Sequence, residues 1–343
     1  MRRALKVVAP GLHTTVQDLG RYGYQAAGVP VSGALDAECF RLANRLVGNP
    51  DNTAALEILY QGPTLEVAAD RVLVGLAGGD AEIERLGDRR RVLGGWRSVE
   101  LRRGDRFRIG RLGTAACCYL AVAGGIAVEP CLGSASTFVR GGFGGFAGRA
   151  LREGDLLPLA EDAEAMAELR LKSPPDPGLD RIIRIVLGPQ QDHFTEGAIE
   201  TLLGAEFAVS KSADRMGLRL DGPRLQHRDG YNIVSDGIAT GAIQVPGSGQ
   251  PILLLADHQT TGGYPKIATV VSADLPVVGR RRPGDRIRFR AVEVAEAEQL
   301  RRDSEAALAA LTAAMSAAAA AEEIDHDLLH QLNLISGVVA GDE

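Results

Sequence analysis

The chain has 343 residues, which exceeds the usual size of a single domain and favours two domains. Hydrophobic residues make up 45% and charged residues 24% of it, as in an ordinary soluble globular protein, and its 42 glycines and 16 prolines favour turns and short strands over a helical bundle. The net charge of −6 argues against binding of nucleic acid. No stretch reaches the ~20 apolar residues of a membrane span, so we expect no insertion into a membrane.

The cysteines indicate the cellular compartment. Cys39, Cys117, Cys118 and Cys131 show neither CxxC spacing nor the pattern of a disulfide framework. They predict reduced thiols and no zinc site. Since the N-terminal apolar run is too short for a signal peptide, we expect a cytoplasmic protein.

The first unusual segment is HTTVQDLGRYGYQAAGVPVSGALD, residues 13–36, which has almost no hydrophobic periodicity. A long aperiodic segment in a compact domain is usually a functional loop or an irregular connection. His13 alone indicates little. The functional candidates in this segment are Gln17, Asp18, Arg21, Tyr22, Ser32 and Asp36.

A helix and a series of strands follow. Residues 35–47 place apolar side chains on one helical face, and the sequence Gly-Asn-Pro at 48–50 ends the helix. Residues 71–78, 97–110 and 114–125 are short, rich in β-branched side chains and punctuated by glycine, which is typical of strands.

The glycine-rich segment FVRGGFGGFAGR, residues 138–149, lacks the Gly-Lys-Ser/Thr ending of a nucleotide-binding P-loop. We interpret it as a loop over a site or at a partner interface. Arg140 and Arg149 would then meet an anionic ligand or a partner.

The sequence also contains an apparent repeat. LEILYQGPTLEV at 56–67 resembles MGLRLDGPRLQH at 216–227, since each predicts a strand, a Gly-Pro turn and the start of a second strand. YLAVAGGI at 119–126 resembles the start of LLLADHQTTGGY at 253–264. The pattern indicates two similar β domains from a duplication, with residues 84–109 as an insertion in the first, or else shared turn chemistry alone. The proline-rich residues 173–180 are the predicted linker.

Two helices are predicted in the second half. One covers residues 196–203 after Thr195, a good N-cap, and Phe194 can pack against Ile199. The other is the Ala- and Glu-rich segment from about residue 292 to 333, which we expect to pack on the domains.

The densest polar cluster in an apolar frame is QVPGSGQPILLLADHQTTGGYPKI, residues 244–267. A buried strand, PILLLA, precedes a run of polar and small side chains. The candidate site residues here are Gln244, Asp257, His258, Thr260, Thr261, Gly262, Gly263, Tyr264 and Lys266. The main-chain N–H groups of residues 261–263 can bind an oxyanion or carboxylate, and Lys266 can bind a carboxylate or phosphate. The alternative is a solvated hairpin in which Asp257 is a turn acceptor.

A second polar cluster is SKSADRMG, residues 210–217. Asp214 and Arg215 form part of a site wall or, alternatively, a surface ion pair that contributes little to stability.

Several common catalytic motifs are missing from the sequence. It has no GxSxG elbow, no HExxH and no metal-ligand spacing, so no metal is predicted. It also lacks the Met-Lys-Met sequence of a biotin attachment site. Chemistry that needs biotin or an activated phosphate would therefore require another chain.

The ordered motifs TTVQDLGRYGYQAAGVPVSGALD, GPTLE, SADRMGLRLDGP and SDGIATGAIQVPGSGQPILLLADHQTTGGYPKIATV resemble the biotin-dependent carboxyltransferase family over about residues 5–290. That family includes the C-type subunit of 5-oxoprolinase, allophanate hydrolase subunit 2, the antagonist of the sporulation-kinase inhibitor and the carboxyltransferase region of urea carboxylase. It commonly has arginine where this chain has His258.

The resemblance implies a mainly β fold of two cyclophilin-like β-barrel domains with short helices and a C-terminal helix. The expected boundaries are 1–172 for the first domain, 173–180 for the linker, 181–291 for the second domain and 292–343 for a C-terminal helical segment. A cyclophilin-like fold does not imply prolyl isomerase activity.

The resemblance also implies partners and chemistry. The partner is a smaller chain like allophanate hydrolase subunit 1 or the B-type subunit of 5-oxoprolinase, with a further partner of the A type and a small amide as substrate. The leading hypothesis is a subunit of an ATP-dependent 5-oxoprolinase, in which Lys266 binds an anion, Asp257 or His258 transfers a proton, and the main chain at 261–263 holds the oxyanion.

Two rival functions stay open. One is carboxyl transfer from biotin, carried by another chain, to urea or an amide. The other is a non-catalytic regulator that binds a kinase inhibitor.

Overall fold

The computed structural model describes residues 3–87, 90–160 and 167–318, and β-strands form most of its regular structure. The prediction of a mainly β protein with short helices is confirmed. Residues 319–343 of the predicted C-terminal helical segment lie outside the described residues.

The described elements of the first half are short strands and one amphipathic helix. In chain order they are β1 (Ala4–Ala9), β2 (His13–Gln17), α1 (Ala37–Leu46), β3 (Ala55–Leu59), β4 (Thr64–Val67), β5 (Arg71–Ala77), β6 (Ile83–Leu86), β7 (Arg91–Gly94), β8 (Arg97–Arg102), β9 (Arg106–Ile109), β10 (Cys117–Val122), β11 (Leu156–Pro158) and β12 (Leu169–Arg170).

The second half continues the pattern and ends in a long helix. Its elements are β13 (Ile183–Leu187), α2 (Glu196–Gly204), β14 (Phe207–Val209), β15 (Gly217–Asp221), β16 (Asp236–Gly237), β17 (Ala242–Gln244), β18 (Ile252–Leu254), β19 (Thr261–Gly262), β20 (Lys266–Val270), α3 (Leu275–Gly279), β21 (Arg286–Ile287), β22 (Phe289–Ala291), α4 (Val294–Ala313) and β23 (Ser316–Ala317).

Two sheets enclose the core of the first half. One has the order β11-β1-β4-β9-β6-β7, and the other has the order β2-β3-β10-β5-β8-β12-β23. Alternate side chains of both sheets point into a shared core, which includes Leu5 and Phe107 from the first sheet and Ile58 and Leu120 from the second.

Helix α1 covers the outer face of the second sheet. The Asp36 side chain accepts a hydrogen bond from the Cys39 main-chain N–H at 3.0 Å, which makes it the N-cap of this helix. Phe40 and Leu46 pack with Tyr119 of β10. The close approach requires glycine at position 75, because a Cβ there would lie 2.8 Å from the carbonyl oxygen of Ala43.

The second half has its own core around one large sheet, in the order β21-β14-β15-β18-β17-β20-β13-β22. Ile183, Phe207, Leu253 and Phe289 lie in this core. Helix α2 packs against it through Ala198 and Leu202, and the predicted Thr195 N-cap accepts from the main-chain N–H of Ala198. Each half therefore has a separate apolar core, as the predicted two β domains require.

The C-terminal segment returns to the first half. Leu308 of α4 is buried with the residues of α1, and Arg41 and Arg45 of α1 hydrogen-bond to Glu305 and Thr312 of α4. The strand β23 then pairs with β12. Packing of this helix on the domains is thus confirmed for the described residues.

The predicted repeat holds only in part. β3 and β4 flank the first Gly-Pro turn as expected. After the second Gly-Pro pair no strand forms. Leu225 is instead buried in an irregular segment, where its N–H donates to the Gly249 carbonyl oxygen. The prediction of a strand there is wrong, because burial of one side chain replaces strand pairing. Residues 173–180 contain no helix or strand, and the domain boundaries stay a prediction.

None of the helices in the described part of the chain is long and apolar enough to cross a membrane.

Candidate active site

The polar residues predicted from the sequence begin where β18 ends. The main-chain N–H of Asp257 donates to the Arg215 carbonyl oxygen at 2.9 Å, and that of His258 donates to the Leu255 carbonyl oxygen at 3.1 Å. The exposed fractions are only 6% for Asp257 and 3% for His258. A solvated hairpin therefore does not describe these two side chains, and we call residues 255–258 the strand end.

Asp257 is held by a buried arginine. Its carboxylate accepts from Arg215 Nε at 2.8 Å and Nη2 at 3.1 Å, and the same guanidinium donates to the Glu57 carboxylate and, at 2.7 Å, to the Gly33 carbonyl oxygen. Burial alone would lower the pKa of Arg215, but the Asp257 and Glu57 carboxylates raise it above its ordinary value. The Asp257 carboxylate is thus fixed as one half of a bidentate ion pair.

The interpretation of Asp214 and Arg215 as a surface ion pair is wrong. Arg215 points into the interface between the halves, whereas the Asp214 carboxylate accepts from the main-chain N–H groups of Met216 at 2.8 Å and Gly217 at 3.2 Å. Both residues lie in the turn before β15, where the Asp214 side chain bonds within the turn and the Arg215 side chain reaches Glu57 of the first half, which separates them. The alternative, a site wall, fits Arg215.

Glu57 extends this network into the first half. Its Oε2 atom accepts from the Leu35 N–H and from the Tyr119 hydroxyl, both at 2.8 Å, and the Tyr119 oxygen accepts from the Asp36 N–H at 2.8 Å. Asp36 also pairs with Arg280 of the second half, with Nε to Oδ2 at 2.6 Å. Glu57 and Arg280 are not among the residues predicted from the sequence. The one available signal was a carboxylate within the apolar run LEIL.

His258 has a different environment. Its Nδ1 lies 2.6 Å from the Gln259 carbonyl oxygen, and its Nε2 lies 3.1 Å from Thr240 Oγ1. A carbonyl oxygen can only accept, so Nδ1 carries the hydrogen in the neutral ring and Nε2 accepts from the Thr240 hydroxyl. Burial lowers the pKa of His258, which keeps the ring neutral and able to take up a proton at Nε2.

A cavity of about 570 Å³ lies on the His258 side of the strand end, and we call it the large cavity. It lies between the two halves and α4. Tyr22 and Ser32 of the predicted irregular segment line it, together with Thr240. Of the other candidates in that segment, Gln17, Asp18 and Arg21 bond mainly to residues 131–137, and Asp36 caps α1.

A second cavity of about 370 Å³ lies on the Asp257 side, and we call it the small cavity. Arg215, His13 and Arg140 line it. Burial, and next the Arg215 charge, lower the pKa of His13. The prediction that Arg140 lies beside a site is consistent with this position, whereas Arg149 instead pairs with Asp155 at 2.8 Å.

Lys266 lies in a third environment, at the start of β20. It is 2% exposed, and its Nζ lies 2.9 Å from Asp236 Oδ2, whose side chain is 52% exposed. Gln190 Nε2 donates to the same Asp236 oxygen at 3.1 Å. The hydrogen bond from Lys266 is the main cause of a lowered pKa at Asp236. A buried ammonium is thus paired with a carboxylate on an exposed ribbon.

The residues between His258 and Lys266 form that ribbon. β19 pairs with β16, which places the Thr261 and Gly262 main chain in a two-stranded sheet, and the Thr260 carbonyl oxygen accepts from the Ile238 N–H. Residues 261–263 were predicted to bind an oxyanion through their main chain. Two of them, Thr261 and Gly262, are paired with β16 instead of facing an open site. Gly263 lies beyond the pair, where its carbonyl oxygen accepts from the Ile233 N–H.

Gln244 supports this ribbon from beneath. Its side chain donates to the Tyr264 carbonyl oxygen at 3.3 Å and accepts from Gln259 Nε2 at 3.1 Å. A Cβ at Gly262 would lie 2.8 Å from Gln244 Nε2, so glycine permits this contact. Tyr264 itself is 40% exposed at the surface. The polar residues predicted between 244 and 267 thus lie in three environments, namely the large cavity, the small cavity and the exposed ribbon with Lys266.

No group of three or more His, Cys, Asp or Glu side chains within residues 3–87, 90–160 and 167–318 is placed to hold a metal ion.

Comparison with known proteins gives a consistent result. Residues 27–291 match the family model described as carboxyltransferase domain, subdomain A and B. The chain is 37% identical over 306 residues to the C subunit of 5-oxoprolinase from Escherichia coli strain K12, covering 88% of this chain and 95% of that protein. It is 36% identical over 291 residues to the C subunit of 5-oxoprolinase from Haemophilus influenzae, covering 85% and 92%.

A solved structure supports the fold. The structure of the K. lactis urea amidolyase matches with a TM-score of 0.81 at 31% identity, over 91% of this chain. This chain spans only 20% of the length of that protein.

Proposed function

The chain belongs to the family of the carboxyltransferase domain, subdomains A and B, and we propose that it is the C subunit of an ATP-dependent 5-oxoprolinase. In this proposal it acts with partner subunits of the B and A type as an amide (lactam) hydrolase that opens 5-oxoproline to glutamate.

The observation that carries this proposal is the reciprocal match to the bacterial C subunits. The match covers 95% of one relative and 92% of the other, and most of this chain in both cases. The urea amidolyase contains the same region as one fifth of a longer chain. The region covered by this sequence therefore corresponds to nearly the whole of each C subunit, whereas it corresponds to one fifth of the urea amidolyase.

The geometry supports His258 rather than Asp257 as the group that transfers a proton. Asp257 is fixed by Arg215, so protonating it would break a buried ion pair. His258 is neutral and lines the large cavity. Among the described residues its Nε2 is bonded to the Thr240 hydroxyl alone, which a water or substrate group can replace. In the proposed reaction His258 takes a proton from the water that attacks the lactam carbonyl carbon, and returns that proton to the ring nitrogen as the C–N bond breaks.

Lys266 fits the proposed anion-binding role, because a substrate anion can replace its present partner, the Asp236 carboxylate. Its ammonium is buried, and its partner Asp236 lies on the exposed ribbon. A substrate carboxylate or phosphate that enters at the ribbon can take the place of the Asp236 carboxylate without leaving the Lys266 charge unpaired.

The residues of the large cavity do not fit a triphosphate. Of the positive groups that line it, Arg41 is already paired with Asp51 and Glu305. Arg301 is left as one unpaired charge among the described residues, whereas a triphosphate calls for several converging donors. We therefore assign ATP to one of the partner chains, and this chain contributes groups that bind and orient the amide.

The matching urea amidolyase structure favours a second candidate, transfer of a carboxyl group from biotin on another chain to urea or an amide. This candidate requires biotin, so addition of avidin would abolish its activity and would leave the 5-oxoprolinase reaction unchanged. The regulator hypothesis predicts a stable partner complex that consumes neither an amide nor ATP.

The test is glutamate formation from 5-oxoproline and ATP by the chain purified with its B-type and A-type partners. We expect Lys266→Ala to raise the KM for 5-oxoproline at least about tenfold, because a charged hydrogen bond to the substrate is lost. Lys172→Ala, at an exposed lysine beside the linker, is the control. Unchanged kinetics in Lys266→Ala would remove the anion-binding role, and no glutamate from the wild-type assembly would refute the proposed function.

A further inference from the structure

Arg281 is a buried cation without an acidic partner among the described residues. It is 3% exposed, and its guanidinium donates to the main-chain carbonyl oxygens of Leu179 and, at 3.2 Å, of Arg181. Its Nε atom has no hydrogen-bond partner within the same part of the chain. Burial lowers the pKa of Arg281. A buried charge that lacks a counter-charge is unfavourable, so an anion that reaches Arg281 would be bound strongly.

A cavity of about 450 Å³ lies beside Arg281, and we call it the basic cavity. Three further arginines line it, Arg181, Arg286 and Arg288, together with three acidic side chains. None of the described residues that line it also lines the large cavity. The basic cavity is therefore separate from the cavity that contains His258.

Strand alternation places two of these arginines on the cavity. Ile287 of β21 and Phe289 of β22 point into the core of the second half. Successive side chains of an extended chain point to opposite sides, so Arg286 and Arg288 project outward on the same side. Their side chains are 65% and 58% exposed. Both can therefore turn towards a ligand without disturbing the core.

The turn at residues 178–181 brings the other two arginines together. The Arg181 N–H donates to the Gly178 carbonyl oxygen at 3.0 Å, which closes the turn. Arg281 Nη2 lies 3.5 Å from the same oxygen, and a Cβ at Gly178 would lie 3.5 Å from the Arg181 guanidinium carbon. Both guanidinium groups thus border one residue, and the bonds from Arg281 to this turn fix its position.

The acidic side chains do not occupy these guanidinium groups. The Glu206 carboxylate lies 3.7 Å from Arg286 Nε and 3.9 Å from Arg288 Nε, which is too far for a hydrogen bond. Asp285 accepts from the Arg282 main-chain N–H at 2.8 Å, within the turn before β21. Within the described ranges none of the four arginines of the basic cavity hydrogen-bonds to a carboxylate, so their free N–H groups are available to a ligand.

Arg281 also lines the small cavity, but that cavity suits an anion less well. Its walls are mostly apolar, and they include the Asp214 and Asp257 carboxylates. The basic cavity instead combines Arg281 with three more arginines. Guanidinium groups bind phosphate oxygens in bidentate pairs, and four of them supply more donors than one phosphate accepts. The complementary ligand therefore carries more than one phosphate group.

We propose that the basic cavity binds a small anion with two linked phosphate groups, with Arg281 as its buried partner and Arg181, Arg286 and Arg288 around it. The site goes beyond the proposed function, because none of its groups takes part in opening the lactam. It also differs in chemistry from the Lys266 site, where one ammonium is paired with the Asp236 carboxylate.

The ligand class is tested by calorimetric titration of the purified chain at constant ionic strength, with pyrophosphate, inorganic phosphate and acetate as probes. We expect pyrophosphate to bind at one site, at least about tenfold more tightly than inorganic phosphate, because it contacts more of the arginines. Acetate, which carries a single charge, should not reach saturation over the same concentrations. Bound pyrophosphate should also raise the unfolding temperature of the chain.

The two exposed arginines allow the site to be tested without disturbing the fold. Arg286→Gln and Arg288→Gln should each weaken pyrophosphate binding several-fold and leave the unfolding temperature of the free chain near that of the wild type. Arg290→Gln is the matched control, because Arg290 is the next outward arginine of the same segment, bonds to Glu296 at 2.9 Å and does not line the basic cavity. Its affinity for pyrophosphate should equal that of the wild type.

Arg281→Gln should cause the largest loss of affinity, since it removes the buried charge, and pyrophosphate should no longer raise its unfolding temperature. These measurements do not depend on glutamate formation. The proposal is overturned if the wild-type chain binds no pyrophosphate or binds inorganic phosphate as tightly. It is also overturned if Arg290→Gln weakens binding as much as Arg288→Gln does, because the attraction would then come from general surface charge.

Discussion

The two sides of the strand end differ in how their polar groups are used. On the small-cavity side, Asp257 belongs to a buried cluster with Arg215 and Glu57 that joins the two halves. On the large-cavity side, His258 is bonded to one hydroxyl and one carbonyl oxygen and has no ion pair with any residue that the structure describes. Two neighbouring residues of one motif thus have separate tasks, since one fixes the strand end and the other is free to exchange a proton.

The largest expected effect is a loss of stability on the small-cavity side of the strand end. Arg215→Met would leave the Asp257 and Glu57 carboxylates buried without their counter-charge, which typically costs about 3–5 kcal/mol of stability. The measurement is urea unfolding of the purified chain. Arg219→Met, at an exposed position of β15, the strand that follows Arg215, is the control and should stay close to the wild type. A loss below about 1 kcal/mol in Arg215→Met would mean that the cluster does not hold the halves together.

A smaller effect concerns pH. Burial lowers the pKa of both His258 and His13 in the folded chain. The unfolded chain therefore binds more protons just below about pH 6.5, so the stability that neutral histidines contribute is complete above that pH and is lost as the pH falls through it. We expect the unfolding temperature to drop between about pH 7.5 and about pH 5.5, and to drop less in His258→Gln. An equal drop in the variant would place His258 in a more solvated environment.

The smallest expected effect concerns the exposed ribbon. Asp236→Asn removes the carboxylate that competes with substrate for Lys266. Because Asp236 is exposed, stability should stay near that of the wild type, while the KM for 5-oxoproline should fall. Asp229→Asn, on the same exposed segment, is the control. A raised KM in Asp236→Asn would indicate that Asp236 holds the substrate rather than competing with it.

Local features were predictable from the sequence. The apolar face of α1 and the Thr195 cap of α2 follow from spacing within a few residues, and both are present. The buried strand before Asp257 was also evident from its apolar run. These features depend on neighbours in the chain, which is why pattern alone identified them.

The organisation of the site was not predictable in the same way. Arg215 meets Glu57 across the interface between the halves, and α4 contributes Arg301 to a cavity formed by residues far away in the sequence. A sequence pattern does not show which distant charges will pair when the halves pack. From the sequence Asp257 and His258 were also predicted to share one site, although they line different cavities in the structure.

The buried His258 and the half-buried His13 provide the most direct test of this account, because each lines one cavity and each has a lowered pKa. The measurement is kcat for glutamate formation from 5-oxoproline and ATP by assemblies that contain His258→Gln or His13→Gln. Glutamine can replace the hydrogen bonds of His258 but cannot take up a proton, so we predict a loss of about 100-fold in His258→Gln and near wild-type turnover in His13→Gln. Full activity in His258→Gln together with a large loss in His13→Gln would contradict the account and assign the chemistry to the small cavity.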